Sequence, residues 1–173
     1  MHFLEYFYFK TFKYDLLNKF NYNKLKNLPK LKKIVLNFNC KSLQLKNLAS
    51  SLLALKVITS KMGTLTLTKK PNILMKIRKG NPVGCKIVLR KHEMFNFLER
   101  LIVEAFSKTD YQYSKNTTNK TSLSFELNNT FNFKELEKNY YLFYDIPTLN
   151  VTIVYESHLK KEISFLKTSF KIK

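Results

Sequence analysis

Residues 78–90 read Arg78-Lys79-Gly80-Asn81-Pro82-Val83-Gly84-Cys85-Lys86-Ile87-Val88-Leu89-Arg90, and they hold two of the three glycines and two of the three arginines in the 173-residue chain. The glycines permit backbone angles that other residues avoid, and Pro82 between them fixes φ, which predicts a shaped turn. Apolar and polar residues then alternate, which predicts a strand over residues 85–90. One face of that strand would be apolar. The other, with Lys86, Val88 and Arg90, would be largely cationic and suited to a polyanion.

This stretch belongs to a longer pattern of four segments. The others are Asn27-Leu28-Pro29-Lys30-Leu31-Lys32-Lys33-Ile34-Val35-Leu36-Asn37, Phe95-Asn96-Phe97-Leu98-Glu99-Arg100-Leu101-Ile102 and Leu149-Asn150-Val151-Thr152-Ile153-Val154. With these segments the chain resembles the universal large-subunit ribosomal protein number five, the family that binds 5S rRNA in bacterial ribosomes. Their order and spacing fit that family across nearly the whole chain.

Composition independently favours an acidic partner. The chain has 31 Lys and Arg residues against 12 Asp and Glu residues, a net charge of +19. Nucleic acid is the commonest partner of such a protein. The alternative is a solvated basic protein encoded by an AT-rich genome. Coding bias of that kind explains why the cations are mostly Lys, but it does not explain why they outnumber the acidic residues.

The same coding profile, in a protein that resembles a bacterial ribosomal protein, predicts an organelle genome, with a mitochondrion preferred to a plastid. Residues 1–14 contain Glu5 and no Arg, unlike a transit peptide, so we expect the protein to be made where it works. We find no secretory signal and no apolar run of about 18 residues that would span a membrane. The N-terminal aromatic residues favour a core helix over a membrane-interface helix.

Periodicity predicts one α+β domain that comprises residues 1–173. The predicted helices lie at about residues 5–20, 47–60 (with Ser42 as an alternative start), 93–107, 133–138 and 157–168. The predicted strands lie at about residues 32–39, 64–68, 85–90, 123–127 and 149–155, with a further extended segment at about 73–78. Residues 108–122 show neither a helical nor a strand periodicity, and this absence predicts a variable polar loop. The resemblance implies an antiparallel sheet that is backed by helices.

The resemblance also implies the partners. In the family, one sheet face and its loops contact 5S rRNA and the large rRNA in the central protuberance, a basic loop approaches the peptidyl-site tRNA, and a protein of the small-subunit head lies nearby. The polar positions that the family sets against 5S rRNA fall on Asn37, Lys61 and Val88. Lys61 replaces a glutamine, and Val88 replaces a threonine, so its side chain cannot form a hydrogen bond. The family's glycine-rich loop, aligned with residues 111–122, has no glycine here, and we predict that the 5S rRNA contact is altered or lost.

The remaining candidates for RNA contact are basic residues around the predicted strands. The tRNA-facing loop of the family aligns with Lys69 and Lys70, for which an ordinary solvated hairpin is an equal alternative. Extended segments on both sides of the shaped turn place cations where successive phosphates can be contacted. The complete set of predicted RNA-binding residues is Lys30, Lys32, Asn37, Lys61, Lys69, Lys70, Lys76, Arg78, Lys86 and Arg90.

An enzyme is the rival class, and the sequence offers little for it. The three histidines lie far apart, and no phosphate-binding loop, dinucleotide motif or nucleophile elbow occurs. Cys40 and Cys85 lack a zinc-type spacing and predict buried thiols. We therefore predict no catalytic activity, no metal and no cofactor. A free-standing RNA-binding assembly factor remains the alternative to a ribosomal subunit protein.

Overall fold

The computed structural model describes residues 3–22, 24, 27–40, 44–74, 76–105, 117–118, 121–156 and 160–170. Within these ranges the strands are β1 (Lys30–Asn39), β2 (Thr64–Leu67), β3 (Pro82–Leu89), β4 (Thr117–Thr118), β5 (Ser122–Leu127) and β6 (Leu149–Glu156). They form one antiparallel sheet in the order β2-β3-β1-β6-β5-β4. The predicted α+β class is confirmed.

The helices pack against one face of this sheet. They are α1 (Phe3–Phe7), α2 (Lys13–Lys19), α3 (Leu45–Thr59), α4 (Lys91–Arg100), α5 (Lys134–Lys138), α6 (Tyr140–Phe143) and α7 (Lys160–Ser169). Two π-helical turns, Tyr8–Phe12 and Leu101–Ala105, and one 3₁₀ turn, Thr130–Asn132, complete the described elements. Apolar residues of the sheet and of α2 to α7 meet in one hydrophobic cluster.

Strand β1 lies in the middle of the core. Ile34, Leu36 and Phe38 are fully buried, whereas the alternate residues Val35 and Asn37 are half-buried. This alternation arises because successive side chains of a strand point to opposite faces and only one face is covered by helices. We call the uncovered side the open face.

The glycines of the opening stretch serve two different needs. Gly80 has φ +88°, a conformation that favours glycine, and its N–H donates to the Thr68 carbonyl oxygen at 3.0 Å. Gly84 instead allows close approach between strands, because a β-carbon there would overlap the Phe38 carbonyl oxygen and lie 3.0 Å from Thr66 Oγ1. The predicted shaped turn and following strand are both present.

The strand is shorter at its end than predicted. β3 ends at Leu89, and Arg90 is the residue that precedes the first turn of α4, with extended backbone angles of φ −138° and ψ 159°. Lys91, which follows, has φ +51°. Arg90 therefore lies just beyond the end of the strand, and Lys86 and Val88 are the two of these three residues that belong to β3.

The N-terminal segment packs as a core helix, as predicted. Tyr8 and Phe12 are buried, and their rings contact Phe170 with centroid distances of 6.3 and 5.4 Å. The same helical stretch exposes other aromatic rings to solvent, notably Phe3, Tyr6, Phe9 and Tyr14. Among the described residues, no helix is both long and apolar enough to span a membrane.

The third arginine of the chain has a structural role. Arg100 donates from Nη1 to the Ile58 carbonyl oxygen at 2.6 Å and from Nη2 to Glu135 Oε2 at 2.5 Å. It therefore links the last turn of α3 to α5 through α4. Only a fifth of its side chain is exposed.

Several predicted boundaries need correction. The predicted extended segment at 73–78 is not observed at its described residues: the chain turns back on itself, and Asn72 and Ile77 form an isolated bridge. Two residues of the predicted loop 108–122, Thr117 and Thr118, pair with β5 as the edge strand β4, and β5 begins at Ser122. Helix α6 was not predicted, and most of the predicted loop lies outside the described residues.

Candidate RNA-binding surface

The central row of the open face of the sheet is polar and at least partly exposed. This row runs across five strands, because the strand register aligns Thr64, Lys86, Asn37, Asn150 and Glu126. No Phe or Tyr lies on this face at the described positions of β1, β2, β3, β5 and β6. Base stacking on aromatic rings, as in many RNA-binding sheets, is therefore not the chemistry of this surface.

A second row on the same face is more apolar. Val88 lies directly opposite Val35, which in turn lies opposite Thr152 and then Ser124. The Ser124 hydroxyl is 3.1 Å from the Thr152 hydroxyl. The sequence predicted a largely cationic face, but the face as a whole is mostly neutral, since its polar groups are mainly amides and hydroxyls.

Asn37 lies at the centre of the open face. Its Nδ2 donates to Asn39 Oδ1 at 2.7 Å, and its own Oδ1 is buried without a hydrogen-bond partner among the described residues. A buried acceptor that lacks a donor costs stability and is usually paired in a complete assembly. Asn37 therefore lies on the open face with a side-chain acceptor that has no partner among the described residues.

Lys61 already has a protein partner. Its Nζ is 2.9 Å from Glu93 Oε2 and 3.2 Å from Oε1, with both side chains about half exposed. The pair connects the second residue after α3 to the first turn of α4. An exposed ion pair of this kind is worth little by itself, so a phosphate competes with Glu93 at small cost.

A basic hairpin projects from the edge of the sheet at residues 68–81. Thr68 closes its base, because its N–H donates to the Asn81 carbonyl oxygen at 3.0 Å and its hydroxyl to the Arg78 carbonyl oxygen at 2.7 Å. Five exposed cations lie along it: Lys69, Lys70, Lys76, Arg78 and Lys79. Four of these were predicted RNA-binding residues, and the structure brings them together on one projecting element.

The tip of this hairpin is apolar. Ile73 is 90% exposed and Leu74 is 96% exposed, whereas Ile77 is buried. Lys76 has φ +52°, which lets the chain reverse just after the tip. Sequence reasoning missed this exposure, because an apolar run in a segment interpreted as extended predicts burial.

The other predicted cations lie at the opposite end of β1. Lys30, Lys32 and Arg90 line one groove on the helical side of the sheet, together with Lys91 and Lys13, which were not predicted. Lys32 Nζ is 2.7 Å from Glu156 Oε1, and this hydrogen bond and the lysine charge lower the pKa of the Glu156 carboxyl. The ten predicted residues thus fall into three groups: open face with the adjoining Lys61, hairpin and groove.

The described residues contain no cluster of three or more His, Cys, Asp or Glu side chains that could hold a metal ion. Cys40 and Cys85 are buried free thiols, as predicted, and burial raises the pKa of Cys85 to about 12. His92 lies 3.5 Å from Glu5. None of these groups forms a catalytic arrangement with another in the described part of the chain.

Comparison with known proteins identifies the family. The family model for the C-terminus of the ribosomal L5 proteins matches residues 82–173, which include β3 and the elements that follow it. The chain is also 32% identical over 170 residues to the large ribosomal subunit protein uL5m of Reclinomonas americana, an alignment that covers 95% of this chain and 93% of that protein. This relative supports the predicted mitochondrial localisation. The chain therefore belongs to the ribosomal L5 protein family, as a structural, non-enzymatic ribosomal protein of the mitochondrial type.

Proposed function

We propose that the protein is a structural constituent of the large subunit of a mitochondrial ribosome, where it binds rRNA in the central protuberance. The observation that carries this proposal is the combination of an uncovered polar sheet face with a projecting basic hairpin. Both suit a partner that presents phosphates and hydroxyl groups over a wide surface.

On the open face, the expected partner is the rRNA that occupies the position of 5S rRNA in the family. Asn37 retains the family's residue and has an acceptor oxygen to spare. Lys61 and Val88 depart from the family, and Val88 lies beside Val35 in an apolar stretch of the face. We infer that the RNA contact here depends more on shape and backbone than on side-chain recognition, so the 5S rRNA contact is altered or lost.

For the hairpin, the expected partner is the peptidyl-site tRNA. Its exposed cations supply phosphate contacts, and its apolar tip is unusual for a solvated turn. Aliphatic side chains of this kind pack against sugars or partly unstacked bases in other nucleic-acid complexes. A protein of the small-subunit head is the further expected neighbour, on the evidence of the resemblance.

Sedimentation of a mitochondrial lysate tests the proposal. The protein is followed by mass spectrometry through gradients at moderate and high salt, and the co-migrating RNA is sequenced. We expect stable recovery with the large subunit at both salt concentrations. Recovery only in light fractions would instead support a free-standing assembly factor, and the sequenced RNA decides whether a 5S rRNA is present.

A further inference from the structure

A groove of about 740 Å³ lies between the N-terminal helical segment, the start of β1 and the start of α4. Its floor is apolar, since it includes the buried side chains of Leu16, Leu28, Met94 and Phe95. The Tyr8 hydroxyl donates to the Pro29 carbonyl oxygen at 2.9 Å and so fixes the helical wall to the strand wall. The groove is thus a defined feature of the packed fold. Its volume lies within the range of about 300 to 1,000 Å³ that is typical of ligand sites.

The rim of this groove is strongly basic. The described residues that line it include five cations, Lys13, Lys30, Lys32, Arg90 and Lys91, and a single acidic residue, Glu5. The Glu5 carboxylate lies 3.5 Å from His92. These cations come from three separate segments of the chain, so the fold, rather than a run of basic sequence, brings them together. A ligand of this groove must be anionic at its edge and apolar or aromatic at its centre.

One aromatic ring is presented at the mouth of the groove. Phe9 lines it, is 49% exposed, and packs edge-on against the Tyr8 ring with centroids 5.3 Å apart. A half-exposed phenylalanine on a packed helix leaves apolar surface in contact with water. A flat apolar ligand that covered this ring would remove that cost.

We propose that the groove holds an unpaired nucleotide of RNA, with its base against Phe9 and the apolar floor and its phosphates on the basic rim. Unpaired bases commonly stack on aromatic side chains while lysines and arginines contact the flanking phosphates. An acidic peptide would satisfy the rim but would offer no flat ring to the floor. This inference rests on the proposed rRNA-binding function and adds a site that is separate from the open face and the hairpin.

The test measures binding of the full-length chain to a fluorescein-labelled single-stranded oligouridylate and to an RNA duplex of equal length. Phe9→Ala is expected to weaken the single-stranded complex about tenfold, the value of one base–aromatic stack, and to leave the duplex complex unchanged. Tyr6→Ala is the matched control, because Tyr6 lies on the same helical segment, is 52% exposed and does not line the groove. Circular dichroism verifies that both variants are folded.

A second pair of variants tests the rim. Lys13 and Lys10 are both exposed on neighbouring turns, but only Lys13 lines the groove. Lys13→Ala should therefore weaken single-stranded RNA binding more than Lys10→Ala. If the two variants of each pair weaken single-stranded RNA binding equally, the groove site is wrong. The proposed function is not affected by that result. Binding of a poly-glutamate peptide that is lost in Lys13→Ala but kept in Phe9→Ala would assign the groove to an acidic protein segment instead. If the wild-type chain binds neither RNA, both the site and the proposed function fail.

Discussion

Gly84 of β3 lies against the carbonyl oxygen of Phe38 in β1, so closely that a β-carbon on Gly84 would overlap that oxygen. The two strands are neighbours in the sheet, where Phe38 pairs with Cys85 and Asn39 with Gly84. The glycine is required by the spacing of the strands and not by an unusual φ. This contact joins the opening sequence motif to β1, whose inward residues Ile34, Leu36 and Phe38 are fully buried.

Gly84→Ala is therefore expected to destabilise the fold. The new methyl group must push β1 and β3 apart or shift Thr66, and we expect a loss of about 2–3 kcal/mol in the free energy of unfolding. Urea denaturation measures it. Gly80→Ala is the control, since no atom lies within 4 Å of the position that its β-carbon would take and only its φ of +88° is unfavourable, at a cost of about 1 kcal/mol. A larger loss in Gly80→Ala would contradict this assignment.

Tyr8 makes the stability of the fold sensitive to alkaline pH. Burial raises the pKa of Tyr8 from 10.0 to about 12. Because the folded state favours the protonated hydroxyl, this contribution is fully present below pH 10 and is lost as the pH rises from about 10 to about 12. Tyr8→Phe should therefore give a shallower decline of stability over this range. At neutral pH it should cost about 1 kcal/mol, because the hydrogen bond to Pro29 is lost.

Urea denaturation at a series of pH values checks this expectation. Tyr14→Phe provides the control, because Tyr14 is 59% exposed and should leave the alkaline decline unchanged. The buried thiol of Cys85, whose pKa is also raised to about 12, contributes to the decline in every variant. An equal decline in Tyr8→Phe and the wild-type chain would show that Tyr8 does not titrate as a buried group.

The sheet could be predicted from the sequence because its signals are local. Ile34, Leu36 and Phe38 alternate with less buried residues, and a period of two is the direct consequence of strand geometry. The end of β3 could not be predicted in the same way. The alternation continues through Arg90, but the backbone leaves the ladder at Leu89 to begin α4, and a pattern of side chains does not record where pairing stops.

The candidate surface was predicted less well than the fold, for a related reason. Lys86 and Arg90 are only four residues apart, yet they belong to the open face and to the groove respectively. Conversely, Lys13 and Arg90 line the same groove although 77 residues separate them in the sequence. Grouping of surface charges depends on tertiary packing, which a single sequence does not display. The sequence did not predict the exposed tip of the hairpin. The reversal of the chain there depends on the positive φ of one residue, Lys76, and not on an alternation of apolar and polar residues.

The hairpin cations should contribute to RNA affinity mainly through counterion release. Replacing Lys69, Lys70 and Arg78 by alanine should weaken binding of the full-length chain to ribosomal RNA and reduce the slope of log affinity against log salt by roughly 2. Titrations at several salt concentrations measure this slope. The control removes the same charge elsewhere, at the exposed residues Lys134, Lys138 and Lys161. Equal slopes in the two triple variants would mean that the hairpin makes no special phosphate contact.

The apolar tip should matter for assembly and not for folding. Ile73→Ser combined with Leu74→Ser should leave the melting temperature unchanged, because both side chains are almost completely exposed. In a mitochondrial ribosome that carries the variant, chemical probing should show weaker protection of the peptidyl-site tRNA. Leu67→Ser, at a 62% exposed position of β2, is the control for loss of an exposed apolar residue. Unchanged tRNA protection in the double variant would remove the tip from the tRNA site.

Val88 provides the sharpest test of an altered 5S rRNA contact. Val88→Thr introduces the residue that the family resemblance implies for this position, and under the proposed function its hydroxyl would face the RNA from the open side of β3. One added hydrogen bond is worth about 1 kcal/mol, so we expect about fivefold tighter binding to a bacterial 5S rRNA. Val35→Thr is the matched control, because Val35 lies directly opposite Val88 on the same face and is also half-buried.

Filter binding at fixed salt gives the affinities of the two variants for the bacterial 5S rRNA. Only the difference between these affinities is informative, because both variants add one hydroxyl group to the same surface. If Val35→Thr and Val88→Thr gain equally, the added hydroxyl increases the polarity of the face without restoring a specific contact. If neither variant differs from the wild-type chain, the surface around Val88 no longer touches a 5S-type RNA. The remaining affinity of the sheet would then depend on Asn37, Lys86 and the backbone around them.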